Sequence, residues 1–534
     1  MRPLMLALVG TVLVAPIPAQ AYVALMAGQA AKPLQGQFNA VPVLHSNQPE
    51  EVLGPGILVS TTPGSGISAE TGEALEHATY TFNGEFGLHV HHKYHPQDRS
   101  RIVRPGGRRG ELTLATILIN PGPNPVHLRF SEGAVRNSFE APYLATNLMG
   151  VKPLGPRPWN TGPGDATAVQ MLRQQLDRRL ADEITIPPYS RMVLFSTALP
   201  AKGIANGLLK GRSDGPFQMA VVAAEDPTSD SDILAVLDSG RLAPGRIYLS
   251  RVHQIQSGAV FSRVAGVALG DRYDANVDHD LDTSPLHVPL TSTNRHHFGT
   301  GEVQVNALAS RMLDSSLNNV GTYGVRFTVD LQLRGSGPYE LVLSHPAPNG
   351  RHFTAFRGSI GIQTDEGYQE VHVGMRSGQS LPISSLNLKP GVVNRVRVTL
   401  VYPADATPGH LLSVVPQQQL AQLRERERLL AAAQSRPAKP KPRPVVPNLV
   451  EPEPQVDAAV MAPIELPTPQ GPNRQLEPAV VMAPGWVASP PTAPTPATLP
   501  GSVAPPLRMS QSLMERYEQA VQAQQRFIES LMGR

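Results

Sequence analysis

The chain has 534 residues, no cysteine, and a formal net charge of +3 from 46 basic and 43 acidic side chains. The missing cysteine excludes thiol nucleophiles, thiolate zinc sites and iron–sulfur clusters. The near balance of charge argues against a nucleic-acid partner, which calls for a concentrated basic face. At ~100–200 residues per domain, the length allows two or three domains without disulfide support.

Arg2, the apolar run Leu4–Val14, the breakers Pro16 and Pro18 and the A-x-A site Ala19-Gln20-Ala21 read as a secretory signal peptide over residues 1–21. Cleavage after Ala21 would leave Tyr22 first. The run is shorter than the ~20 apolar residues that a spanning helix needs. No second such stretch follows, so the mature chain is expected to have no transmembrane segment.

From Gln37 to about Val415 the pattern is that of β-strands. Strands are predicted near Thr79–Phe86, Leu88–His92, Leu112–Ile119, Val126–Phe130, Met192–Thr197 and Phe217–Ala224, punctuated by turn dipeptides such as Asp214-Gly215. A helix is predicted over Ala166–Leu180, with Val169, Leu172 and Leu176 at helical spacing, and a shorter one over Ser231–Asp238. Leu242-Ala-Pro-Gly-Arg246 reads as a turn-rich connector.

Beyond it the alternation sharpens. Tyr323, Val325, Phe327, Val329, Leu331 and Leu333 interleave with Arg326, Thr328, Asp330 and Gln332, the period of two of a half-buried strand. Val396, Val398, Leu400 and Tyr402 repeat it, as do Tyr339, Leu341 and Leu343. Ile360-Gly-Ile362 and Val371-His-Val373 flank Thr364-Asp-Glu-Gly367, a hairpin turn. Short strands with Gly/Pro turns, and no alternation with long helices, predict an all-β chain of antiparallel β-sandwich domains with minor helices. The expected division is an N-terminal β-sandwich over 22–245 and a second over 255–415, with a single continuous sandwich as the other possibility.

Residues 416–436 read as a helix, and 437–507 as a disordered Pro/Ala-rich linker too poor in large apolar residues to order itself. Ser512-Leu-Met-Glu515 is a capping box opening an amphipathic helix over 508–534. Met514, Tyr517, Val521, Phe527, Ile528 and Leu531 cluster toward one face, the expected partner-docking surface.

Three patterns bear on chemistry. Gly211-Arg-Ser213-Asp-Gly215 matches the nucleophile-elbow spacing, but no clean buried strand precedes it and a strand replaces the required helix. No catalytic residue is assigned. In Leu88-His-Val-His-His-Lys-Tyr-His95, His89 and His91 would share one face of a strand and are candidate metal ligands. Asp274, Asn276, Asp278 and Asp280 follow the alternating oxygen donors of a calcium loop, yet His279 and Pro285 replace the Gly and Glu that such a loop requires. An acidic solvated loop is the simpler expectation there, with calcium the one possible cofactor.

A resemblance spans the β body from Pro33 to Val415. It is carried by Leu34–Glu50, Pro55-Gly-Ile-Leu-Val-Ser60, Phe82-Asn-Gly-Glu-Phe86, His91-His92 and Ile119-Asn-Pro-Gly122. Ser213-Asp-Gly-Pro216, Arg263-Val-Ala-Gly-Val267, Gly299-Thr-Gly301, Asn319–Val325, Phe356-Arg-Gly358 and Tyr402–Pro408 continue it. With these motifs the chain resembles a cyanobacterial family of exported proteins catalogued as domain-of-unknown-function family 3370. The resemblance implies export and a cyanobacterial source. It implies no activity and no catalytic residues, and it makes Ser213 part of a turn-strand motif.

The resulting expectation is an exported, non-catalytic cell-envelope or extracellular protein whose β body binds an envelope glycan or an envelope protein. The alternatives are a secreted or periplasmic carbohydrate-active hydrolase using carboxylates of the β body, and a periplasmic metal-binding protein using the histidines.

Overall fold

The computed structural model describes residues 31–102, 110–143, 149–156, 161–294, 296–346, 353–404 and 406–435. The predicted signal peptide at 1–21, the predicted linker at 437–507 and the predicted helix at 508–534 with its Met514–Leu531 face lie outside these residues. The described chain is all-β, and its sheets are mainly antiparallel. None of its helices is long and apolar enough to cross a membrane.

Four large sheets pair into two sandwiches. The first sets a nine-stranded sheet, with Val126–Asn137, Ile204–Ser213, Glu85–Tyr94, Pro42–Ser46 and Ala265–Leu269 at its centre, against Ser190–Pro200, Glu111–Asn120, Gln218–Ala224 and Gly56–Ser60. Leu88, Val90 and Leu128 pack with Ile57, Ile117 and Val221 in its core. The second sets a seven-stranded sheet against four strands. Its central order is Arg272–Asp280, Arg326–Arg334, Asn394–Val401, Thr354–Thr364, Gly367–Arg376. The facing strands are Leu286–Leu290, His410–Pro416, Gly337–Ser344 and Ser380–Leu388. Phe327, Val329, Leu331 and Leu400 pack there with Leu341, Leu412 and Val414. Each such side chain, buried to 1 % exposure or less, contributes about 1.5–3 kcal/mol.

The chain trades strands between the sandwiches. Gln37–Phe38 pairs with Arg272–Asp280 and Gly150–Pro153 with Gly367–Arg376, both in the second sandwich. Ala265–Leu269 returns to the first, pairing with Pro42–Ser46 and Asn306–Arg311. Residues on either side of 245–255 thus share both sheets. The connector contributes more than a turn: Arg246 is wholly buried, pairs with buried Asp314 at 3.1 Å and donates to the carbonyls of Ile57 and Leu58.

Helix α1, Pro163–Leu172, is buried along nearly its whole length. It is shorter than the predicted Ala166–Leu180: the backbone turns at Gln174 (φ 54°), and Leu176 instead bridges to Gly133. Gly162, at φ 95°, leads in; a Cβ there would lie 2.1 Å from the Tyr143 ring, so only glycine fits. Ala168, Met171 and Leu172 touch Leu208 of the first sandwich and Val401 of the second, so α1 is a wedge between the two sandwiches. Helix α2, Asp230–Asp238, opens on a Ser229–Asp232 capping box. Helix α3 is Val252–Gln256 and α4 is Gln417–Ser435; Leu420 and Leu423 of α4 pack on Val342 and Val415.

Two local expectations are corrected. A buried strand does precede Ser213: Ile204–Ser213, the third strand of the nine-stranded sheet. Its Ala, Asn and Gly residues hid it, because they lack the β-branched alternation of a typical strand. Asp271–Asp282 is likewise no loop. Arg272–Asp280 is a strand, with Tyr273, Ala275 and Val277 in the core and the Asp and Asn side chains facing out.

Candidate functional site

Strand alternation sends one residue of each pair to the core and the other outward. On the seven-stranded sheet the outward set is polar. Asp274 and Asn276, Thr328 and Asp330, and Arg397 and Thr399 form the floor of an open groove of about 880 Å³. The register sets them in rows: Asp274 lies beside Thr328 and Thr328 beside Thr399, while Asn276 lies beside Asp330 and Asp330 beside Arg397. Glu132 and Lys210 of the first sandwich, the end of α1 and the turn after it (Met171 to Gln175), and Tyr368 and Glu370 complete the lining.

The groove carries five carboxylates and five cations, and they pair. Arg397 forms a fork with Asp330 at 2.6 and 3.0 Å. Arg173 donates twice to Glu370, at 2.6 and 2.9 Å. Arg326 holds Glu132 at 2.6 Å, Arg272 holds Asp274 at 2.7 Å and Lys210 holds Asp271 at 3.0 Å. Tyr368, 54 % exposed, donates to Glu370 at 3.0 Å. Burial of its inner side, with the Glu370 charge, pushes its hydroxyl up to about 12, so it remains a protonated donor with an open ring face. Paired charges, neutral hydroxyls and amides, and an exposed aromatic ring suit a hydroxyl-rich ligand that presents both apolar and hydrogen-bonding faces.

A second groove of about 880 Å³ lies on the outer face of the nine-stranded sheet. Ser213 lines it, but its Oγ accepts from the Gly84 amide at 3.0 Å and faces the Gly84 carbonyl at 3.4 Å. His127 is occupied with Thr185 at 2.8 Å. Ser213 thus closes a turn, and among the described residues its Oγ bonds to the Gly84 backbone and to no histidine or carboxylate.

The predicted site residues separate into three places. Asp274 and Asn276 enter the groove floor; Asp278 and Asp280 continue along the same strand. Side chains at alternate positions of a strand sit about 7 Å apart, whereas calcium gathers its oxygens at 2.3–2.6 Å. The four therefore form a row along the strand and do not converge on one point. His89 and His91 do share a face, and it is buried. His89 Nδ1 lies 3.1 Å from Nδ1 of His45, its partner across the parallel strands. His91 meets Asn206 at 3.0 Å, and Asn206 donates to Thr167 of α1 at 2.5 Å. Burial drives His45 down to about 3 and His89 well below the usual histidine range. His296 lies elsewhere, near His345 and His410. Among the described residues no group of three or more His, Asp or Glu side chains is placed to hold a metal ion.

The groove floor follows from the alternation of 326–334 and 394–401, but its walls carry no sequence signal. Arg326 and Glu132 are 194 residues apart and meet only in the fold. No curated protein matches the chain. The model of the family described as "Protein of unknown function (DUF3370)" matches residues 29–416, and the chain belongs to that family.

Proposed function

We propose that this is an exported, non-catalytic binding protein of the cell envelope, and that the groove over the seven-stranded sheet holds a hydroxyl-rich envelope polymer. The observation that carries this reading is the pairing of every groove carboxylate with a cation. Glycoside hydrolysis needs one carboxyl to deliver a proton and a second free to attack or to activate water, and here all five are engaged. The signal-peptide pattern at 1–21 supports export. The family resemblance points to a cyanobacterial envelope. The Pro/Ala-rich 437–507 would act as a spacer and 508–534 as a docking helix.

The test is co-sedimentation with purified cell envelopes of the chain from Tyr22 onward, beside a version ending at Arg436. The β body is expected to sediment with or without the tail, and to release no sugar. Loss of binding on truncation would transfer the binding role to the tail; sugar release would favour the hydrolase.

A further inference from the structure

The two grooves meet. Lys210 lines both, and the strand Val126–Asn137 contributes Glu132 to one and the adjacent Ser131 to the other. At the junction Lys210 Nζ is held 3.0 Å from Asp271, which Asn39 also binds at 2.6 Å. The first groove crosses five neighbouring strands of its sheet, from Arg272–Asp280 to Gly367–Arg376, and the second crosses four, from Glu183–Ile186 to Glu85–Tyr94. At ~4.8 Å between strands these are about 19 Å and about 14 Å, a joined path on the order of 30 Å.

Charge balance extends across the junction. With Lys210 shared, the joined path carries eight carboxylates and seven cations: the second groove adds Glu85, Glu183 and Asp214 against Arg129 and Arg212, with Arg129 paired to Glu183 and Arg212 directly across from Glu85. A surface that reads a polyanion concentrates positive charge; this path mixes both signs in near balance.

We propose, resting on the glycan-binding reading above, that the two grooves form one binding path and that its ligand is a linear, net-neutral polysaccharide long enough to lie across both. Two sites joined by one chain gain affinity through effective concentration, so length is the signature to look for.

The probe is the envelope polysaccharide that sediments with the protein, partially hydrolysed and fractionated by length. Fragments compete against the intact envelope for the full chain. Long fragments should compete at about tenfold or more lower concentration than fragments of a few sugars. Ser131→Trp fills the second groove from an exposed strand position. It should erase the advantage of long fragments while leaving short-fragment competition unchanged. Thr328→Trp in the first groove should weaken both. Raising the salt should change competition less than about twofold, because a neutral ligand on a path of nearly balanced charge has little long-range attraction for salt to screen. If Ser131→Trp matches wild type at every length, or if salt abolishes binding, this inference is overturned and the single-groove reading stands. If wild type does not bind the envelope, the glycan-binding reading itself has failed.

Discussion

Arg246 and Asp314 meet at 3.1 Å with both side chains completely shielded from solvent. Gln48 adds a hydrogen bond to Asp314 at 3.2 Å, and Met312 lies against the guanidinium. The pair ties the connector after α2 to the segment that follows the strand Asn306–Arg311, so it fastens the region where the chain passes between its sandwiches. The Arg246 Nε is buried without a hydrogen-bond partner, which makes the site costly as well as specific.

Removing one partner leaves an uncompensated buried charge. Arg246→Met is expected to destabilise the protein by about 3–5 kcal/mol, and the double change Arg246→Met with Asp314→Leu to recover most of that loss. Urea unfolding of the three proteins measures this. A loss for the single variant near that of a surface arginine such as Arg129 would refute the role.

The buried histidines make stability depend on pH. Burial holds His45, His92 and His296 at about 3, and His287 and His345 at about 4, against 6.5 for an exposed histidine. The folded state keeps them neutral while the unfolded chain takes up protons below 6.5, so their contribution is complete above 6.5 and falls as the pH drops toward 4. Each costs about 1.4 kcal/mol per pH unit in that window. Urea midpoints should be flat from pH 8 to 7 and fall steeply between pH 6 and 4.5. His45→Gln or His89→Gln should shallow that fall.

Asp165 anchors the wedge. It sits in the first turn of α1, accepts from Ser359 at 2.9 Å and meets His372 Nδ1 at 2.9 Å, and Ser359 and His372 are direct cross-strand partners. Asp165→Ala leaves both buried groups short of a partner, with an expected loss of about 2–5 kcal/mol. Hydrogen exchange should rise in α1 and in the strands of both sandwiches that it touches. Exchange confined to α1 would show that the helix does not couple the two.

Much of the second sandwich was legible in the sequence because Phe327, Val329 and Leu331, or Val396, Val398 and Leu400, are strongly apolar and strictly alternate. The same alternation marked Thr328, Asp330, Arg397 and Thr399 as an outward polar row, half of the groove. Ile204–Ser213 was hidden because a central strand can use Ala and Gly where close packing against its neighbours requires small residues. Gly207 and Gly211 lie against Phe195 and Phe86. Arg272–Asp280 was disguised by charge on its exposed face. The walls supplied by Glu132, Lys210 and Arg173 depend on how two sandwiches close around α1, which no local pattern encodes. His89 and His91 were correctly placed on one face; that this face is buried was not readable, because its cover, Tyr323, comes from the other half of the chain.

Envelope binding by Thr328→Trp tests the groove most directly. Thr328 is partly exposed on the groove floor and takes part in none of the groove's ion pairs, so a large aromatic side chain there obstructs the groove while suiting a strand. An unchanged urea midpoint and at least a tenfold loss of envelope binding, about 1.4 kcal/mol or more, are expected. A folded Thr328→Trp protein that binds envelopes as tightly as wild type would contradict the groove's role.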